Sequence, residues 1–128
     1  MNTSELKIGN WVYNSTTRNN MQVYPMMIPQ LYNIEKEYGS LKDSNIKPIP
    51  LSEEILLKCG FDINGKYYRS KYIQDSIKLI YDFNQRVLYF KYKGELSPMI
   101  QIPRTIKSLH ELQNLYHALT GEELEVYL

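Results

Sequence analysis

The chain has 128 residues, 43% of them hydrophobic and 23% charged, a composition that can bury one core and argues for a single domain spanning residues 1–128. Its net charge of +1 argues against a surface built throughout for duplex DNA, leaving room only for a local basic patch. The single cysteine, Cys59, excludes an internal disulfide, and no apolar run approaches the roughly 20 residues that span a bilayer.

Met1–Lys7 lacks the apolar centre of a signal peptide, so the protein is expected to stay in the cell that makes it. Leu6–Tyr13 predicts a first strand entered through Gly9, with Trp11 and Tyr13 on one face and Val12 on the other. Asn14–Asn20 is a polar loop. Met21–Leu31 is apolar but carries Pro25 and Pro29, which predicts an edge strand or an irregular extended segment. Tyr32–Asn45 has mixed charge and is stopped by Gly39, which predicts a short turn or loop.

Prolines hold Pro48–Leu51 extended, and Ser52 then caps a short helix, Glu53–Cys59, whose first turn carries Glu53 and Glu54 at the positive end of the dipole. Gly60 ends it, and Phe61 is placed to fold back on Leu56. Cys59 reads as a small apolar residue at that helix end, since no activating partner can be placed beside it. Asn64-Gly65 marks a turn before a strand at Lys66–Tyr72.

Ile77–Lys93 predicts a hairpin that reverses at Asn84-Gln85, pairing Ile77 with Tyr92, Leu79 with Phe90 and Tyr81 with Leu88. A shift of one residue would send Leu79 and Phe90 to opposite faces, so the apolar pattern sets the register. The other face then carries Lys78 opposite Lys91, Ile80 opposite Tyr89 and Asp82 opposite Val87, and the like charges predict partial solvation there. Met99–Ile102 offers one more short strand before Pro103.

Ser108 with Glu111 three residues later predicts a capping box, and Leu109, Leu112, Leu115, Tyr116 and Leu119 form one helical stripe ended at Thr120-Gly121. His110, Asn114 and His117 fall opposite that stripe and read as solvated residues. The two imidazoles lie about 10 Å apart along the axis, too far to share one ion, so no metal is expected. Leu124, Val126 and Leu128 alternate with Glu123, Glu125 and Tyr127, which predicts a final strand.

No phosphate-binding glycine loop, zinc-protease helix, paired-cysteine motif or nucleophile elbow is present, and Glu53-Glu54 and Glu122-Glu123 are neighbours that point in different directions. The expectation is a non-enzymatic protein without cofactor. Asn64–Lys107 holds nine Lys or Arg against three acids, whereas Ser108–Leu128 holds four glutamates and no Lys or Arg. Tyrosine is abundant, twelve against three phenylalanines. Within the basic part, Lys66, Tyr67, Tyr68, Arg69, Lys71, Tyr72, Lys78, Tyr89, Lys91 and Lys93 mix rings with cations, as single-strand nucleic-acid platforms do. The same residues also suit a soluble sheet, tyrosines filling strands and lysines protecting edges.

Three pieces, Leu6-Lys-Ile-Gly-Asn-Trp-Val12, Pro48-Ile-Pro-Leu-Ser-Glu-Glu-Ile-Leu-Leu-Lys-Cys-Gly-Phe61 and Leu109-His-Glu-Leu-Gln-Asn-Leu-Tyr-His-Ala-Leu-Thr-Gly-Glu-Glu-Leu124, together resemble a group of short, uncharacterised proteins encoded by phages and prophages of anaerobic gut bacteria. These carry an "LRIGNxV" strand, a "PIPLTEExLxxxGF" helix and a terminal "LHxLQNLYxALTGEEL" helix. The resemblance implies a phage or mobile-element accessory protein in the cytoplasm of the bacterial host and carries over no catalytic residue. The GNxV opening is also similar to the first strand of small SH3-like barrels. The expected fold is therefore α+β: a bent antiparallel sheet or SH3-like partial barrel, one short helix and a C-terminal packing helix. The expected function is binding to a host or phage protein through the basic, tyrosine-rich sheet, the alternative being single-stranded nucleic acid on that same face, with no membrane partner.

Overall fold

The computed structural model describes residues 1–74, 77–92 and 98–128, and the chain forms two compact units: Met1–Pro50 with Ser108–Glu123, and Leu51–Lys107 with Leu124–Leu128. The fold is α+β. Its strands are antiparallel and lie in two sheets, one of three strands and one of five, neither closed into a barrel. The bent sheet or partial barrel expected from the sequence is thus two separate sheets.

In the first unit, β1 (Trp11–Asn14) is flanked by β2 (Asn19–Gln22) and β3 (Ile46–Lys47). Val12 points inward and is fully buried, while Trp11 and Tyr13 on the other face are half-buried, as the alternation predicts. Between β2 and β3 runs α1 (Met27–Tyr38), where an extended segment and a loop were expected. The prolines explain the difference: Pro25 precedes the helix and Pro29 lies in its first turn, where amide hydrogens have no intrahelical acceptor to lose. Met27 and Leu31, one turn apart, are buried with Leu6, Val12, Val23, Leu41 and Ile46 to form this unit's core. Gly39, at φ +80, stops the helix as its amide donates to the Glu35 carbonyl at 2.7 Å.

The terminal helix, α3 (Leu109–Thr120), lies against β1 and buries Leu109, Leu112 and Tyr116 of its predicted stripe. Its start differs from a capping box. Ser108 Oγ donates to Glu111 Oε1 at 2.7 Å instead of accepting an amide, and the helix entrance is held by backbone pairing, with Leu109 N–H on the Ile49 carbonyl at 2.8 Å and a bridge from Pro50 to Ser108.

His117 is exposed as read, but His110 is buried and Asn114, with Gln113, forms a clamp, contrary to the solvated reading. Gln113 accepts from the Trp11 amide at 2.8 Å and donates to the Gly9 carbonyl at 3.3 Å, which closes the start of β1 onto the helix. Asn114 donates to the Glu5 carbonyl at 2.6 Å and accepts from Asn10 Nδ2 at 2.9 Å. His110 is 2% exposed. Its Nδ1 lies 3.1 Å from Ser108 Oγ, whose own proton is committed to Glu111, so the ring donates from Nδ1. Nε2 then has no hydrogen-bond partner and stands 3.7 Å from Glu5 Oε2. Burial holds His110 below the ordinary imidazole range, opposed by Glu111 and Glu5.

In the second unit the sheet order is β4 (Asp62–Ile63), β5 (Tyr68–Gln74), β6 (Ile77–Asp82), β7 (Val87–Tyr92) and β8 (Met99–Thr105). The β6–β7 register is the predicted one at every pair from Ile77 with Tyr92 to Asp82 with Val87. Asp82 Oδ1 accepts from the amides of Asn84 and Gln85 and so shapes the reversal. β8 runs on through Pro103 because it is an edge strand, where one missing donor breaks no ladder. Ahead of the sheet, α2 (Glu53–Lys58) forms as read: Ser52 Oγ accepts from Ile55 N–H at 3.2 Å, and the Phe61 amide returns to the Leu56 carbonyl at 2.9 Å beyond Gly60. The predicted last strand is absent. Among the described residues, 124–128 are tied by a backbone bond from Tyr127 N–H to the Lys58 carbonyl at 3.0 Å, with Leu124 buried.

Two outcomes follow from the clamp. Gln113→Ala leaves the Trp11 amide without its acceptor and should lower stability by about 1–3 kcal/mol, measured as a lower urea midpoint. A histidine whose folded value lies below the unfolded 6.5 binds its proton more readily when unfolded, so stability is full at neutral pH and declines as pH falls through about 6.5. Urea midpoints at about pH 7.5 and about pH 5.5 should therefore diverge in the native chain and draw together in His110→Gln, a pH window that lies above ordinary carboxylate titration.

Candidate functional site

The register of the five-stranded sheet sorts the basic and aromatic residues onto its two faces. Pairing of β5 with β6 puts Arg69 opposite Tyr81 and Lys71 opposite Leu79, on the same face as Leu88, Phe90 and Tyr92. Tyr68, Ser70 and Tyr72 lie on the other face, with Lys78, Ile80 and Asp82 of β6 and Val87, Tyr89 and Lys91 of β7. β8 adds Met99 and Gln101 to that second face through its pairs with Lys91 and Tyr89.

The first face is internal, and its cations serve the fold. Arg69 is 5% exposed; it pairs with Glu53 in the first turn of α2, donates to the carbonyls of Tyr68 at 2.8 Å and Gly65 at 3.3 Å, and lies 5.5 Å from the Phe83 ring. Lys71 Nζ donates to the Cys59 carbonyl at 2.8 Å, where its charge faces the negative end of the same helix. Together the two side chains hold α2 at both ends on that face. Cys59 is fully buried beneath this contact, and desolvation pushes its thiol up to about 11, with Lys71 opposing, so it is no nucleophile at neutral pH.

The second face forms transverse rows. One runs Tyr72, Lys78, Lys91, Met99, the next Ser70, Ile80, Tyr89, Gln101, and a third joins Tyr68, Asp82, Val87 and Thr105. Ser70, Ile80, Asp82 and Val87 are buried, so the middle of this face is closed to a ligand. Its outer row is open. Tyr72 is 56% exposed and Met99 45%, with Lys78 and Lys91 half-buried between them. Lys78 Nζ sits 5.4 Å from the centre of the Tyr72 ring, and Tyr89 reaches Gln85 at 3.4 Å.

Of the residues singled out from sequence, Tyr68, Tyr72, Lys78, Tyr89 and Lys91 therefore share one face. Arg69 and Lys71 are withdrawn to the other by strand alternation, a correction to the candidate surface. Tyr67 lies in the turn before β5, with Lys66 Nζ 5.3 Å from its ring, and is not on the face. Lys93 lies outside the described residues. Met99 and Gln101 were missed; they join the surface only through the β7–β8 pairing, which no local pattern announces.

The Ser108, His110 and Glu5 contacts are a relay in outline only. Ser108 is buried, and its hydroxyl proton is turned to Glu111, away from any incoming group. Among the described residues no set of three or more His, Cys, Asp or Glu is placed to hold a metal ion, and no helix is long and apolar enough to cross a membrane. Compared with protein-family models, curated proteins and solved structures, the chain has no match.

Lys78 directly opposite Lys91 is a like-charge pair that the fold does not require. Lys91→Glu turns it into an attractive pair and should raise stability by about 0.2–1 kcal/mol, read as a higher urea midpoint at low salt; a fall would contradict the placement of the two side chains.

Proposed function

We propose that this chain is a non-enzymatic accessory binding protein of a phage or prophage, and that it engages a host or phage protein through the outer row of the five-stranded sheet. One observation carries the binding role. After the fold has used Arg69 and Lys71 internally, it still presents Tyr72, Lys78, Lys91 and Met99 side by side, with Tyr89 adjoining, on an open part of one face. Tyrosine and methionine are the side chains enriched in protein interfaces, because each contributes broad contact area. The phage or prophage origin rests on the three sequence pieces at Leu6–Val12, Pro48–Phe61 and Leu109–Leu124.

Single-stranded nucleic acid is the competing occupant, since tyrosines on a sheet can stack bases. The two are separated by a photo-crosslinker placed at Tyr72 in cells producing the chain. Protein adducts that survive nuclease and fall about tenfold on Met99→Ser are expected, a loss of the size seen when an interface contact is truncated. Adducts that disappear with nuclease, or none at all, would refute the protein reading.

A further inference from the structure

The two lysines of the outer row face each other across β6 and β7, where cross-strand neighbours stand about 5 Å apart at Cβ. Neither makes a salt bridge or hydrogen bond among the described residues; Lys78 has only the ring of Tyr72, and Lys91 is followed along the row by neutral Met99. Two lysines on neighbouring strands with no counter-charge among the described residues repel, and that repulsion is relieved by an anion that both ammonium groups can reach.

We infer that Lys78 and Lys91 form a two-cation seat for paired carboxylates, an Asp- or Glu-rich turn or helix end on the protein partner. This deepens the reading above and rests on it. Charge complementarity selects the carboxylates: among the described residues of this face the cations are confined to one row, the adjoining row of Ser70, Ile80, Tyr89 and Gln101 is neutral, and the third contains Asp82. A nucleic-acid strand presents a repeating line of phosphates and needs a line of cations to match it, whereas a local cluster of acid groups needs only one seat. One face of the Tyr72 ring is also occupied by the Lys78 ammonium and is not free to stack a base. Tyr72 and Met99, at the two ends of the row, bracket the seat with apolar contact area, and water excluded there strengthens the ion pairs.

The test is an NMR titration of the full chain with hexaglutamate, inorganic phosphate and an oligothymidylate of about ten nucleotides, all at matched low ionic strength. Saturable shifts at Lys78, Lys91 and Tyr72 are expected with hexaglutamate, weakened about tenfold by Lys78→Gln and lost in the double variant Lys78→Gln, Lys91→Gln, whose unchanged β6–β7 amide signals show that it is folded. Phosphate alone should bind far more weakly. Shifts that spread over the surface, that persist in the double variant, or that phosphate or oligothymidylate produces at lower concentration would overturn the seat. If nuclease-resistant crosslinks at Tyr72 remain while the lysines do not respond, the seat fails and the protein interface stands. If the crosslinks fail as well, both fall.

Discussion

The pairing of β6 with β7 is the constraint on which the rest of the second unit depends. Leu79 must meet Phe90 and Tyr81 must meet Leu88 for that face to be apolar, and a slip of one residue would put Leu79 and Phe90 on opposite faces, carrying one of them outward and one of the two lysines inward. Burial of a leucine side chain is worth about 1.5–3 kcal/mol, several times what a repulsive pair of half-buried lysines facing each other costs. The hydrophobic term therefore decides the register, and the juxtaposition of the two lysines is its by-product. With β6 set, the pairing of β5 withdraws Arg69 and Lys71 to the helix-bearing face, and the pairing of β8 delivers Met99 beside Lys91.

The first unit is organised by a different force. Its terminal helix uses leucines for burial and amides for positioning, and the amides reach main-chain groups of residues about a hundred positions earlier in the chain. Gln113 and Asn114 take up backbone groups of Glu5, Gly9 and Trp11, and the helix entrance takes up Ile49. Pieces that are far apart in sequence, Leu6–Val12, Pro48–Pro50 and the helix itself, are one hydrogen-bonded cluster in space. Each supplies the groups that another needs.

Legibility in the sequence followed the range of the interaction. The cap and glycine stop of α2 and the β6–β7 register were readable because each is decided within a few residues or by a strict period of two. α1 was not, because two prolines in an apolar run read as an edge strand or extended segment, whereas Pro25 and Pro29 sit at a helix start, the one place in a helix where proline does no harm. His110 was misplaced because a helical wheel ranks faces by hydrophobicity, and a polar residue buried against main chain looks the same as one in water. The last strand was misread because alternation describes side chains and is silent on whether a backbone partner exists; here the tail meets the end of a helix. Part of the candidate surface was visible as composition, but its division between faces needed the β5–β6 alignment, and Met99 needed the β7–β8 pairing.

Pro103 gives the sheet a directionality of approach. An open edge strand ordinarily invites another strand to extend the ladder, by a partner or by a second molecule of the same kind, and such growth has no natural end. A proline within β8 leaves that edge one amide short, so a neighbour docked there would be left with an acceptor unanswered. Strand addition is thereby discouraged at that rim, and what the sheet presents instead is its surface, where side chains and not the main chain meet the surroundings.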